Sequence, residues 1–123
     1  MTVAAAVAGM LTGCGMAPSP MAVTHDYAAR QADAVALQRA VELVTELHYA
    51  EAAAALGPLI DRFETAGAAD SAAQTTFWLA YCKEKLGQTA AAAALYRTLQ
   101  ARYPDTPAAR QAAVRLAQLS AVL

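Results

Sequence analysis

The chain has 123 residues, which is enough for one domain, and 58% of them are hydrophobic. Many of these are alanine, the strongest helix former, so the composition favours closely packed helices around a thin core. The net charge of −1 gives no electrostatic basis for binding nucleic acid, and the Cys and His residues lack metal-ligand spacing.

Residues 1–25 form a separate zone that contains no charged side chain. Residues 3–11 are an apolar run too short to span a bilayer, with the length of a signal-peptide core. The tetrapeptide that follows, Leu11-Thr12-Gly13-Cys14, resembles the lipobox of bacterial lipoproteins. This resemblance implies removal of residues 1–13 and attachment of lipid to Cys14. The alternative is a short apolar N-terminal helix with an incidental cysteine.

Residues 14–25 are predicted to be the lipidated N-terminus and a tether, because prolines and small residues dominate the segment. Gly15 follows the cysteine where an aspartate would signal retention in the inner membrane. The lipoprotein resemblance therefore implies sorting to the outer membrane. The remaining residues, 26–123, are predicted to form the folded domain.

The domain shows helical periodicity throughout, with no alternating strand pattern. The predicted helices span residues 27–47, 50–64, 71–86, 89–103 and 107–121.

Glycine and proline support several of these boundaries. Gly87 suits the left-handed position after a helix, and Pro104 should end the fourth helix. Thr106 is a suitable N-cap before Pro107 at the first helical position. Pro58 predicts either a kink or a late start of the second helix.

An internal repeat is visible when residues 53–63 are aligned with residues 93–103, which places Leu59 on Leu99. The two aligned segments are separated by a fixed offset along the chain. If Gly67–Ala72 is an inserted loop and its residues are subtracted from that offset, the remaining length is the period of the tetratricopeptide repeat.

Residues 73–106 resemble one tetratricopeptide repeat, residues 33–66 resemble a second one less closely, and residues 108–123 would be a capping helix. The resemblance implies an all-α fold of antiparallel helix pairs, with about two repeats plus the cap. Together with the internal alignment, it assigns repeat packing to Leu79, Ala80, Gly87, Ala92, Tyr96, Leu99 and Pro104. The second repeat is also similar to the periplasmic coordinator of the Tol–Pal system and to outer-membrane-assembly lipoproteins.

No arrangement of nucleophile, base or paired carboxylates points to catalysis, so no enzyme activity, metal or cofactor is predicted. His25, His48 and the pair Glu42 and Glu46 are interpreted as solvated. Cys82 belongs to a core stripe with the residues Thr75, Leu79 and Leu86.

A second row on the same helix, Phe77, Tyr81 and Lys85, has the spacing of one helix face and lies beside Glu84. Tetratricopeptide arrays line their concave groove with such positions, so these four residues are predicted to bind an extended or helical peptide. The alternative is that Phe77 and Trp78 pack against the preceding repeat.

The predicted function is a lipid-anchored interaction module at the outer membrane, facing the periplasm. Its expected partners are an envelope protein or peptide, and the membrane through lipid on Cys14, without nucleic acid. The alternative is a structural subunit or homo-oligomer, since two repeats and a cap fall below the three or so that stack stably alone.

Overall fold

The computed structural model describes residues 20–122, with side-chain environments for residues 27–121. The predicted signal peptide, Cys14 and the tether up to residue 19 lie outside the described residues.

The described part of the chain is helical, and the predicted all-α fold of antiparallel helix pairs is confirmed. Its helices are α1 (Pro20–Thr45), α2 (Tyr49–Thr65), α3 (Ala69–Lys85), α4 (Thr89–Arg102) and α5 (Pro107–Val122). Helix α1 begins earlier than predicted, so residues 20–25 of the predicted tether are helical. A proline suits the first helical position, because its missing N–H would have no partner there.

Helices α1, α2 and α3 each end in the same left-handed turn. Its central residues, Leu47, Gly67 and Gly87, have φ angles of 68°, 73° and 81° and recur at equal intervals along the chain. At Gly87, the glycine N–H donates to the Glu84 carbonyl and the next N–H donates to the Lys83 carbonyl, the two bonds of a Schellman motif. The left-handed position predicted for Gly87 at the end of a helix is therefore confirmed.

The regular spacing of these turns corrects the repeat interpretation. Gly67–Ala72 is not an inserted loop, since α3 already begins at Ala69. The offset between residues 53–63 and residues 93–103 instead corresponds to two successive units, each consisting of one helix and the turn that follows it.

Pro104 and Pro107 lie at helix boundaries, as predicted. Helix α4 ends at Arg102, before Pro104, and α5 starts at Pro107. The Thr106 hydroxyl accepts a hydrogen bond from the Ala109 N–H at 3.2 Å, which caps the new helix. Helix α2 starts at Tyr49 and continues through Pro58, so the late start is wrong.

Helices α1, α3 and α5 form one layer, in which α3 packs against both neighbours, and α2 and α4 pack in the gaps on one side. Small residues permit the close approach, because several alanines at the contacts are completely buried. They are Ala40, Ala52, Ala72, Ala73, Ala80, Ala92 and Ala112.

The predicted core stripe of α3 holds only in part. Thr75 and Cys82 are completely buried, and burial raises the pKa of the Cys82 thiol. Leu79 is half-buried, whereas Leu86 is 40% exposed because it lies in the turn after the last helical residue.

Candidate protein-binding face

The α1–α3–α5 layer has an open face on the side away from α2 and α4. On α3, this face carries Gln74, Trp78, Tyr81 and Lys85, spaced by four, three and four residues. Gln74 and Lys85 are exposed, and the two aromatic residues between them are half-buried. The open row of α3 therefore begins at Gln74 and Trp78 rather than at Phe77.

A concavity of about 390 Å³ lies between α3 and α5 on this face. Its lining comprises Phe77, Trp78, Tyr81, Gln111, Val114 and Arg115. Val114 is 57% exposed and is thus available for contact with another molecule. This concavity is called the α3–α5 cleft below.

Tyr81 is held in place from several directions. Its ring centroid lies 5.8 Å from that of Trp78 in an edge-on arrangement and 6.4 Å from that of Phe77 in a stacked one. Two cations lie over the same ring, Lys85 Nζ at 5.2 Å and the Arg115 guanidinium at 5.5 Å from the centroid. These contacts fix the ring before any ligand arrives, which lowers the entropy lost on binding.

The predicted groove requires correction at Glu84. Its carboxylate forms an ion pair with Arg115 and accepts hydrogen bonds from Arg115 Nε at 3.1 Å and from the Tyr96 hydroxyl at 3.0 Å. Only 12% of the Glu84 side chain is exposed. Because α5 packs against α3 and supplies Arg115, Glu84 joins the two helices and is not free to contact a peptide.

Phe77 also differs from its predicted place. It is 9% exposed and packs against Tyr96 of α4, with ring centroids 5.7 Å apart. Phe77 thus belongs mainly to the core and closes the floor of the cleft. Trp78 contacts the buried cluster on the α1–α2 side, as the packing alternative expected, and it also contacts the cluster on the α4–α5 side and lines the cleft. Phe77 belongs to the cluster on the α4–α5 side, not to that of the preceding repeat.

Residues of α5 that line the cleft were missed from the sequence. Gln111, Val114 and Arg115 have the i, i+3, i+4 spacing of one helix face. That spacing is visible in the sequence, where residues 108–123 are assigned only as a capping helix.

A second concavity of about 360 Å³ lies between α1 and α3 on the open face. Its lining is more polar than that of the α3–α5 cleft and includes the exposed carboxylate of Glu42. Its lining comprises Ala34, Leu37, Gln38, Val41, Glu42, Thr45 and Gln74.

The residues assigned to repeat packing occupy different environments. Ala80, Ala92, Tyr96 and Leu99 are completely buried. Burial, followed by the negative charge and hydrogen bond of Glu84, raises the pKa of the Tyr96 phenol. Pro104 is exposed just beyond the end of α4.

Within the described residues, no cluster of three or more Cys, His, Asp or Glu side chains could hold a metal ion. No helix in residues 20–122 has the length and apolar character needed to cross a membrane.

Comparison with known protein families matches residues 74–106 to the tetratricopeptide repeat. No curated protein and no solved structure matches the chain. The matched segment covers most of α3, all of α4 and the turn up to Thr106, and it contains the α3 side of the cleft. Residues 74–106 are therefore similar to a tetratricopeptide repeat, and the described residues have the all-α fold of antiparallel helix pairs that is consistent with this type.

Proposed function

We propose that this protein is a protein-binding module that uses the open face of the α1–α3–α5 layer. Tetratricopeptide repeats generally mediate protein–protein interactions. The observation that carries the proposal is the α3–α5 cleft, where an ordered Tyr81 lies beside the exposed side chain of Val114. Interface hot spots are enriched in Trp, Tyr and Arg, and the cleft is lined by one residue of each kind, Trp78, Tyr81 and Arg115.

The binding role can be tested with a photo-crosslinking amino acid placed at Gln111. This residue is exposed and lines the cleft, so its replacement should not disturb the core. The matched control is Arg97, an exposed residue of α4, the helix packed on the other side of the layer. We expect a distinct crosslinked protein from position 111 and none from position 97. The same pattern at both positions would contradict the proposal.

The proposed cellular setting is the bacterial envelope, with lipid on Cys14 holding the module at the outer membrane, facing the periplasm. The support is the lipobox-like tetrapeptide Leu11-Thr12-Gly13-Cys14 directly after an apolar run. Two or more acyl chains would give stable anchoring, whereas a single one gives marginal binding. The proposed role there is to scaffold an envelope assembly or maintenance complex.

Mass spectrometry of the protein from membranes tests the lipid anchor. The expected N-terminus is an acylated Cys14, and Cys14→Ser should release the protein from the membrane or leave it unprocessed. An intact Met1 on the mature protein would overturn the anchor without affecting the binding role of the cleft.

A structural role within a larger complex is the second candidate. On α1, the residues Ala32 and Val35 lie exposed beside a shallow concavity, and Val35 is 51% exposed. No preceding helix covers this side in the described residues. Crosslinks that arise from position 35 and not from position 111 would favour this candidate.

A further inference from the structure

We propose that the α3–α5 cleft selects an acidic segment of its partner. A large apolar side chain of that segment would enter between Trp78 and Val114, and a neighbouring carboxylate would pair with Lys85. This inference rests on the proposed binding function and specifies the chemistry of the partner.

The N-terminal and C-terminal parts of the chain carry net charges of opposite sign. Residues 1–73 contain three Lys or Arg and eight Asp or Glu, for a net charge of −5. Residues 74–123 contain six Lys or Arg and two Asp or Glu, for a net charge of +4. Apart from the first residues of α3, both cleft-forming helices lie in the positively charged part of the chain, and this net charge favours the approach of an anionic segment.

Lys85 supplies the local cation at the cleft. Its side chain is exposed, and within residues 27–121 it forms no ion pair, while its ammonium lies over the Tyr81 ring. Arg115 already pairs with Glu84, which removes that carboxylate from competition for Lys85. A carboxylate from a partner would therefore meet an available positive charge beside an apolar surface.

The charges on the open face also determine which way round the partner segment lies across the three helices. The concavity between α1 and α3 carries Glu42, whereas the α3–α5 cleft has Lys85 at its side and its Arg115 is already paired with Glu84. A partner lying across the three helices would place its acidic residues over α3 and α5. Like-charge repulsion from Glu42 disfavours the reverse orientation.

The test uses a displayed library of short random peptides, selected on the full-length chain in detergent. We expect enrichment of sequences in which Asp or Glu adjoins a large apolar residue. The best peptide is then synthesised with a fluorescent label, and its Kd is measured by anisotropy at low and high salt. Affinity should fall with salt, since exposed charges are screened.

Two substitutions at Val114 distinguish an effect of charge on binding from an effect of side-chain shape. Val114→Asp should weaken binding at least tenfold, because it places a carboxylate against an acidic ligand, whereas Val114→Lys should preserve or strengthen binding. The same two changes at Val35, exposed on α1, are the matched controls and should leave the Kd within twofold. Lys85→Gln should weaken binding about fivefold, with Arg97→Gln as its control.

Three outcomes would overturn the inference. If Val114→Asp and Val114→Lys weaken binding equally, the cleft binds peptides but does not select acidic ones, and the proposed function survives. If no selected peptide depends on Val114, the cleft is not the binding site. If light scattering shows a dimer that Val114→Asp separates, the occupant is a second copy of the chain.

Discussion

Arg115 on α5 forms an ion pair with Glu84 on α3, a residue 31 positions earlier in the chain. The same carboxylate accepts a hydrogen bond from the hydroxyl of Tyr96 on α4. Three helices thus meet at one acidic side chain that is largely buried. The pair also positions the Arg115 guanidinium over Tyr81, so the attachment of the last helix and the shape of the cleft depend on the same contact.

Removal of Arg115 should destabilise the domain. Arg115→Met keeps most of the aliphatic stem but leaves the Glu84 carboxylate with the Tyr96 hydroxyl as its remaining partner. We expect the free energy of unfolding in urea to fall by about 1–3 kcal/mol, since a buried charge loses its counter-ion. Arg97→Met, at an exposed position, should change it by no more than about 0.5 kcal/mol. Equal effects would show that the ion pair has no special role.

Alkaline pH should also destabilise the fold. Burial raises the pKa of the Cys82 thiol, and burial together with a nearby glutamate raises the pKa of the Tyr96 and Tyr103 phenols. All three groups are protonated in both states at neutral pH. Above pH 9.0 for the thiol and pH 10.0 for the phenols, the unfolded chain loses protons that the folded chain keeps.

For the completely buried Tyr96, this difference lowers the free energy of unfolding by up to about 1.4 kcal/mol per pH unit above pH 10.0, and the other two groups act in the same direction. The measurement is a series of urea melts from pH 7 to pH 11. Tyr96→Phe should make the alkaline decline shallower, although loss of the hydrogen bond lowers stability at pH 7 by about 0.5–1.5 kcal/mol. A decline of equal steepness in Tyr96→Phe would contradict the assignment.

Leu47 has a left-handed backbone where the equivalent turns have glycine, and its side chain is 69% exposed. Leu47→Gly should raise the free energy of unfolding by about 0.5–1 kcal/mol, because it relieves backbone strain and removes few contacts. The reciprocal change Gly87→Leu should lower it by about 1–2 kcal/mol, since open space surrounds the glycine and only the conformation opposes a side chain. Changes of the same sign in both variants would refute this explanation.

Ala92 lies where α4 packs closely and is completely buried. Ala92→Leu should overpack this contact and lower the free energy of unfolding by about 1–3 kcal/mol. Two residues earlier, Ala90 is exposed, so Ala90→Leu is the matched control and should unfold like the natural chain. An unchanged thermal melt for Ala92→Leu would contradict the packing seen here.

The helices could be predicted because their signals are local. Alanine content, apolar periodicity, Gly87, Pro104 and Thr106 place four of the five helix starts within two residues of those observed. The exception is α1, whose start at Pro20 falls in a segment that resembles a tether. The insertion predicted at Gly67–Ala72 is wrong because the offset between two aligned segments gives only the combined length of the helices and turns between them. It does not show which residues are helical.

The sequence by itself determined the helical class, the repeat character of residues 74–106 and the row of aromatic residues on α3, since these follow from residue type and spacing. Only the tertiary structure decided which of those residues remain accessible. Helix α5 packs on α3 so that Arg115 pairs with Glu84, while Val114 stays exposed beside Tyr81. That outcome depends on the rotation of one helix against another, which arises from contacts between residues far apart in the chain and leaves no periodic signal in either helix alone.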